Sequence, residues 1–345
     1  MDNLMVSFVV IALNAESTLD TLFDCLKNQT YPHGRIEVIL VDGNSQDATK
    51  EIMLRFQNTE YGFNRVLVLD NPKKTLPCGW NIALDAVEGD AVLRVDAHTT
   101  FPPEFIELNV RDLNKGENIC GGKVISTPSR KDKWSITLNE AENSMFGGSY
   151  AAFRHAESAK YVSTAAFAIY RKEVFDKVGR YNEILTRTED NEMHYRMKRA
   201  GYKFYYDPQI VSYRETRATL GKLLKQKYLN GYWIGRTLGV EPRCFSLYHF
   251  VPFAFVLAII ATAVLGICGI SWPVLALWIV YGFVNIVMSI IAVLGCKGRN
   301  IWFICLPMLF LMLHVWYGVG TLVGIGKLTV LIDSNSKLEE RSKRL

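Results

Sequence analysis

No two of the seven cysteines have CxxC spacing, and their number is odd. Neither a disulfide framework nor a structural zinc site is expected. No GxGxxG follows the first apolar run, and GxxxxGK[ST] is absent throughout. The usual dinucleotide and P-loop readings therefore fall away. No paired signature of a Ser, Cys or zinc hydrolase is present either. The formal net charge is only +5, and the first 245 residues hold no basic run. Nucleic-acid binding would want basic residues gathered on one face or arm, so it is not expected. The first residues carry no basic stretch ahead of the apolar run that stops at Leu13. No signal peptide is expected, and the front domain is placed on the cytoplasmic side.

Acidic residues are missing altogether from Leu247 to Ile325, where Lys297 and Arg299 are the only basic residues besides histidine. Three apolar segments fill this region, from about Tyr248 to Cys268, Trp272 to Leu294 and Ile301 to Ile325. Each is long enough to cross a bilayer, which takes about 20 apolar residues per helix. Lys297 and Arg299 place the second loop on the cytoplasmic side. That agrees with two crossings, and leaves the third segment, with Pro307, His314 and three glycines, as a crossing or a re-entrant helix. Gly320 and Gly324 have the spacing of a helix-packing motif. The expected organisation is a catalytic domain over 1–245, a transmembrane region of two or three helices over 246–326, and a charged tail over 327–345.

The first half of the domain alternates short β-branched runs with amphipathic helices. Val6–Leu13, Ile36–Val41, Arg65–Leu69 and Ala91–Val95 read as buried parallel strands. Ser17 or Thr18 is expected to cap the first helix and Asp47 the second. Pro77–Val87 reads as a third helix. Such alternation implies right-handed crossovers and a mainly parallel sheet, with ligands at the carboxyl ends of the strands. Asn14, Asp42 and Asp96 all fall at or just past such ends. The second half is more mixed, with strands at Ile119–Ile125, Thr164–Tyr170 and Phe204–Tyr206 and helices at Lys172–Val178 and Asn191–Ala200.

Three acidic sites bear on chemistry. Asp42 ends the second strand, where it can accept from a base or ribose, or fasten the following turn. Asp96 and His98, two residues apart on leaving a strand, can face one divalent cation, or pair with backbone in a turn. Oxygen ligands suit Mg²⁺ or Mn²⁺, and the histidine tilts the choice toward Mn²⁺. Glu189 and Asp190 open a helix, where the dipole favours acids. Asp190 is also placed to act as a general base.

Together these residues resemble family 2 glycosyltransferases of the GT-A fold. Residues 6–16 (VSFVVIALNAE) look like that family's opening, and residues 41–49 (VDGNSQDAT) are similar to its VDDGSTDGT stretch. Gly89-Asp90 followed by Asp96-Ala-His98 stands at its GD…DxD, and Glu189-Asp190 with Arg196 and Ala200-Gly201 at its ED…R…AG. Arg94-Val-Asp-Ala-His98, Pro102-Pro103, Phe146-Gly-Gly, Phe153-Arg154 and the apolar C-terminal segments resemble the subgroup of the succinoglycan biosynthesis protein ExoA.

The resemblance implies a GT-A (Rossmann-like) domain ahead of membrane helices. It implies an inverting, metal-dependent hexosyltransferase that uses a UDP-sugar and a polyprenyl-diphosphate-linked acceptor in surface polysaccharide synthesis, beside other assembly enzymes at the cytoplasmic membrane. Ala12, Leu13, Asn14 and Glu16 would line the nucleotide pocket, Asp42 would contact the uridine, Asp96 and His98 would hold the cation, and Asp190 would be the base. Gly43 replaces the second Asp of DDGS, and His98 the last Asp of DxD. The processive QxxRW motif is missing: Gln226 to Trp233 stands in its place, as an acceptor-side segment or as an amphipathic interfacial helix. Alternatives are a polyprenyl-phosphate glycosyltransferase and a non-catalytic membrane protein that keeps the fold. Lys73 and Lys74 are read as a solvated loop, and His155 and His314 as structural.

Overall fold

The structure, a computed structural model, describes residues 4–148, 156–296 and 298–328. Phe153, Arg154, His155, Lys297 and the charged tail from residue 329 lie outside the described residues. Packing divides the chain into two compact units. One is Met1–Ile125 with Ala151–Glu215, the other Ser126–Tyr150 with Thr216–Leu345. The second unit thus takes in residues 126–150 and 216–245 together with the apolar segments.

In the first unit β1 (Val6–Ala12), α1 (Glu16–Lys27), β2 (Ile36–Asp42), α2 (Thr49–Gln57), β3 (Arg65–Asp70), α3 (Leu76–Ala86) and β4 (Ala91–Asp96) follow in strict alternation. There follow β5 (Thr99–Thr100), α4 (Phe105–Leu113), β6 (Ile119–Thr127), α5 (Lys133–Asn143, of the second unit), β7 (Lys160–Val162), β8 (Ile169–Arg171), α6 (Lys172–Val178), α7 (Glu189–Arg199) and β9 (Phe204–Glu215). The sheet order is β3-β2-β1-β4-β8-β6-β9-β5, with β7 on β9. Pairs among β1 to β4 are parallel. The pairs β4-β8, β6-β8, β5-β9 and β7-β9 are antiparallel. The sheet is therefore mixed, and its parallel character ends where the β-α alternation of the sequence ends.

The strands alternate between two cores, as side chains on a pleated strand must. Val6, Phe8 and Val10, with Val38, Leu40 and Leu93, pack under α1, α2 and α4. Val9, Ile39, Val41 and Val92 pack under Trp80 and Ala83 of α3, Val174 of α6 and Met193 of α7. Arg94 and Asp96 alternate with the first set, so they share the face of Val92, α3 and α7. The expected cap on the second helix forms: α2 starts at Thr49, whose backbone N donates to Asp47 Oδ1 at 3.1 Å. The expected cap on the first does not, since α1 starts at Glu16 behind Ala15 with no side-chain cap. Thr18 instead donates back to the Ala15 carbonyl.

The second unit contains α5, α8 (Leu220–Thr237), α9 (Val251–Ile267), α10 (Trp272–Gly295) and α11 (Leu306–Gly326). Leu247–Ile267, Trp272–Gly295 and Ile301–Gly326 are each long and apolar enough to cross a membrane. α8 is held against α11 through glycines on both helices. A Cβ on Gly231 would stand 2.0 Å from the Tyr317 carbonyl, and one on Gly235 2.4 Å from that of Thr321. A Cβ on Gly320 or Gly324 would stand 2.1 Å from the carbonyl of Tyr228 or Tyr232. Two glycines four residues apart on each helix thus let the backbones meet. The 220–237 segment is accordingly a packed helix rather than one lying alone at an interface. His314 joins three elements. Its Nε2 lies 2.6 Å from the Phe146 carbonyl, which can only accept, so Nδ1 accepts from the Tyr281 hydroxyl at 3.0 Å.

Candidate active site

The carboxyl edge of the parallel strands brings the expected acids level with one another. Ala12 pairs in register with Asp42, and Ile11 with Asp96. The loops after β1 and β2 are laced together by their own polar groups. Asn14 Oδ1 accepts from Gln46 N at 2.9 Å, and Glu16 Oε2 from Ala48 N at 3.0 Å. Asp47 Oδ2 accepts from Glu16 N at 3.2 Å, and Ala15 N donates to Thr49 Oγ1 at 2.7 Å. Asn14 and Asn44 have φ of +52° and +60°, a region asparagine enters more readily than most residues. Gly43 N donates to the Ala12 carbonyl at 2.7 Å, and a Cβ on Gly43 would lie 3.1 Å from that oxygen. The departure from DDGS therefore sits where the two loops approach most closely. Asp42 is 3% exposed and accepts from Ser45 N at 3.3 Å, so it fastens its own turn. Leu13 is 48% exposed at the edge.

Beside this edge, a cleft of about 190 Å³ is lined by Arg94, Asp96, Val124, Ala165, Ala166, Phe167, Asp190 and Arg214. The end of β4 and the start of α7 thus meet, and Asp96 and Asp190 face one space. Arg94 links them. Its guanidinium is ion-paired with Asp190 and lies 3.7 Å from Glu189. It stacks 4.7 Å over the Trp80 ring and 5.9 Å from that of Tyr181. Glu189 is 3% exposed, and burial pushes its carboxyl above the usual range against the pull of Arg94. Asp190, with 40% of its side chain exposed, is the acid of the pair that opens to the cleft. Phe167 has φ +50°, a backbone state that costs a bulky residue about 1 kcal/mol or more and tends to collect at functional sites.

Asp96 fits a cation. Its carboxylate is partly exposed and accepts no hydrogen bond among the described residues. Among the described residues no three His, Cys, Asp or Glu side chains gather as a metal cluster. A cation here would need further ligands from a bound anion. His98 lies in the turn between β4 and β5 and does not line the cleft.

The other expected residues have partners elsewhere. Lys73 and Lys74 lie exposed in the turn after β3, as the solvated-loop reading has them, and Lys73 makes a surface ion pair with Glu183 at 2.6 Å. Gln226 accepts from Arg217 at 2.9 Å and donates to Glu142 at 3.3 Å within the second unit. Arg94 enters the sequence analysis only as part of the Arg94–His98 motif, with no role of its own, and Arg214 not at all. Arg94 is legible as the one basic residue on β4, a buried strand that places 92, 94 and 96 on one face. Arg214 had no such signal, because β9 was expected to end at Tyr206.

Residues 7–179, half of the chain, match the sequence pattern of glycosyl transferase family 2. The chain belongs to that family. It is a family 2 glycosyltransferase, a hexosyltransferase acting on nucleotide-sugars, with a GT-A-like domain and a region of long apolar helices. A Methanococcus voltae protein named dolichyl N-acetyl-alpha-D-glucosaminyl phosphate 3-beta-D-2,3-diacetamido-2,3-dideoxy-beta-D-glucuronosyltransferase is 23% identical over 93% of this chain and 97% of its own length. Succinoglycan biosynthesis protein ExoA of Rhizobium meliloti is 29% identical over 66% of this chain and 68% of its own. Among solved structures, the mannosyltransferase PcManGT of Pyrobaculum calidifontis, in complex with GDP-Man and Mn²⁺, superposes with a TM-score of 0.62. It covers 92% of this glycosyltransferase and 87% of itself at 16% identity, a likeness of fold.

Proposed function

We propose that this glycosyltransferase is an inverting, divalent-cation-dependent enzyme that moves a hexose from a UDP-sugar to a polyprenyl-diphosphate-linked saccharide. It would do so at the cytoplasmic face of a membrane, in surface polysaccharide synthesis of the ExoA-like kind. The observation that carries the reading is the common cleft of Asp96 and Asp190. The apolar helices favour a lipid-borne acceptor, and so does the dolichyl group in the name of the M. voltae relative, while the name of the R. meliloti relative favours polysaccharide synthesis. The Mn²⁺ in the mannosyltransferase complex supports the cation.

In this reading Ala12, Leu13, Asn14, Glu16 and Asp42 form the nucleotide side of the site, with Asp42 on the uridine. Asp96 would hold the cation, with His98 as the nearby second candidate. When bound, the cation offsets the charge that builds on the departing diphosphate. Asp190 takes the proton from the acceptor hydroxyl as that oxygen bonds to the anomeric carbon. The bond from that carbon to the diphosphate oxygen breaks, and UDP leaves with its electron pair. Attack and departure on opposite faces invert the centre.

The M. voltae relative's name contains a sugar phosphate of dolichol. That favours a second acceptor class, with one phosphate in place of two. The test measures UDP release by detergent-purified protein with UDP-sugars and Mn²⁺ or Mg²⁺. Acceptors carrying one or two phosphates are compared, beside Asp190→Asn and Asp96→Asn. Cation-dependent release that falls at least about 100-fold in Asp190→Asn is expected, the scale of general-base catalysis. Equal rates in wild type and variant, with no UDP binding by titration calorimetry, would leave a non-catalytic protein that has kept the fold.

A further inference from the structure

We propose that Arg94 is the positioning residue of the catalytic base: its guanidinium fixes the Asp190 carboxylate toward the cleft, from the same strand that presents Asp96. This rests on the assignment of Asp190 above. Three observations carry it. Arg94 is 8% exposed on a central strand, where an arginine must find partners for its charge and its donors. Those partners are the two acids that open α7, with Asp190 in the direct ion pair and Glu189 at 3.7 Å. Its plane lies over Trp80, whose ring is 2% exposed, so the side chain is held from above as well as at its tip.

The geometry gives the pairing a purpose that burial alone does not. Asp190 is the first-turn acid whose side chain is open to the cleft, and an exposed carboxylate on a helix end can populate several rotamers. A guanidinium presents its donors in a rigid fork and selects one of them. Asp96 stands two residues beyond Arg94 on the same face of β4. The strand therefore sets the spacing between the cation side of the cleft and the base. A base displaced by about 1 Å loses on the order of 100-fold in rate, because the reaction needs a near-attack arrangement.

Glu189 keeps the cluster from competing with itself. It is the buried one of the two acids, and one of its oxygens, Oε2, has no hydrogen-bond partner. It lies farther from Arg94 than the ion-paired carboxylate. The guanidinium is thereby left to Asp190.

The experiment compares Arg94→Gln, Arg94→Lys, Asp190→Asn and the double variant Arg94→Gln/Asp190→Asn. It reads kcat, donor KM, and UDP affinity with Mn²⁺ by titration calorimetry. The expected result for Arg94→Gln is a kcat on the order of 100-fold lower, with KM and UDP affinity within threefold of wild type. Arg94→Lys recovers about tenfold of that loss and stays about tenfold below wild type, because a lysine keeps the charge and loses the fork. The double variant is no slower than Asp190→Asn, because a residue that acts through another adds nothing once the other is gone. Should Arg94→Gln not fold, Arg94→Lys decides: lowered kcat with unchanged UDP affinity supports the proposal. Wild-type kcat in either Arg94 variant, or losses that multiply in the double variant, overturns it. Wild-type kcat in Asp190→Asn would instead overturn the assignment of the base on which it rests.

Discussion

Glu37 Oε2 and Arg65 Nε lie 2.6 Å apart at the amino edge of the parallel strands, the edge opposite the acids. Glu37 is 1% exposed, yet its carboxyl is held below the usual range. Burial alone would raise it. Hydrogen bonds from Ser7, from the backbone of Gly89 and Glu88 and from Arg65 outweigh that cost. The carboxylate thus ties β1, β2, β3 and the turn before β4 together. Gly89 belongs to the same knot, since a Cβ there would lie 2.5 Å from Ser7 Oγ.

Glu37→Ala should therefore destabilise the fold by about 3 kcal/mol, the scale for removing one partner of a buried charged network. The loss arises because two backbone N–H groups and a guanidinium are left without their acceptor. Denaturant unfolding of the detergent-purified protein measures it. A shift below about 1 kcal/mol would mean that water replaces the carboxylate at that edge.

Two buried groups on α7 give opposite pH dependences. Burial pushes His194 from the ordinary 6.5 down to about 3, where it takes part in hydrogen bonds with Thr164 and Tyr170. The unfolded chain then binds a proton that the folded chain refuses. Stability is full above 6.5 and falls as pH drops from there toward about 3. Glu189 is raised, so the folded chain keeps a proton that the unfolded chain gives up, and this contribution falls as pH rises above the ordinary carboxylate range. His194→Gln should flatten the acid side of the curve of melting temperature against pH, and Glu189→Gln the neutral side. Parallel curves for wild type and both variants would refute the assignment.

The glycine contacts of α8 and α11 make a third prediction. Gly320→Leu or Gly235→Leu sets a side chain where a backbone carbonyl already stands. Overpacking of this kind typically costs about 1–3 kcal/mol, more where backbone must move. Gly282, on α10, has open space at its Cβ position and serves as the control for substitution in an apolar helix. Thermal aggregation in detergent should begin at lower temperature for the first two variants and stay unchanged for Gly282→Leu.

The parallel half of the fold was legible almost residue for residue. β1, β2, β3 and β4 match the expected runs to within a residue; β1, β2 and β4 are buried on both faces and so nearly continuously apolar, while β3, at the sheet edge, is half-buried rather than buried as expected. α6 matches its expected bounds at Lys172–Val178. The antiparallel half was not. Thr164–Tyr170 was expected to be a strand, but only Ile169–Arg171 is paired, and Phe167 turns the chain with a positive φ that no composition announces. β9 extends to Glu215 through Asp207, Pro208 and Gln209, residues that read as a stop. α4 and α5 were missed: α4 buries Asn109 and Asp112, and α5 buries Ser135, Thr137 and Glu142, polar residues that blur the 3.6-residue pattern. Asp42, Asp96 and Asp190 were legible because strand ends and a helix start mark them. The ion pair between Arg94 and Asp190 joins residues far apart in sequence, and only the folded sheet reveals it.

The glycine-mediated union of α8 and α11 also bears on how the protein can be handled. A construction that stops near residue 245, as the change in composition invites, would keep α5 and α8 and discard α11. Leu138, Ala141 and Leu223 would lose Leu306, Leu309, Phe310 and Leu313 from their cluster. Gly231 and Gly235 would face solvent as a bare backbone groove. The part of the second unit that precedes residue 245 therefore contains surfaces made for α11, and soluble expression calls for the removal or redesign of α8 rather than a cut behind it.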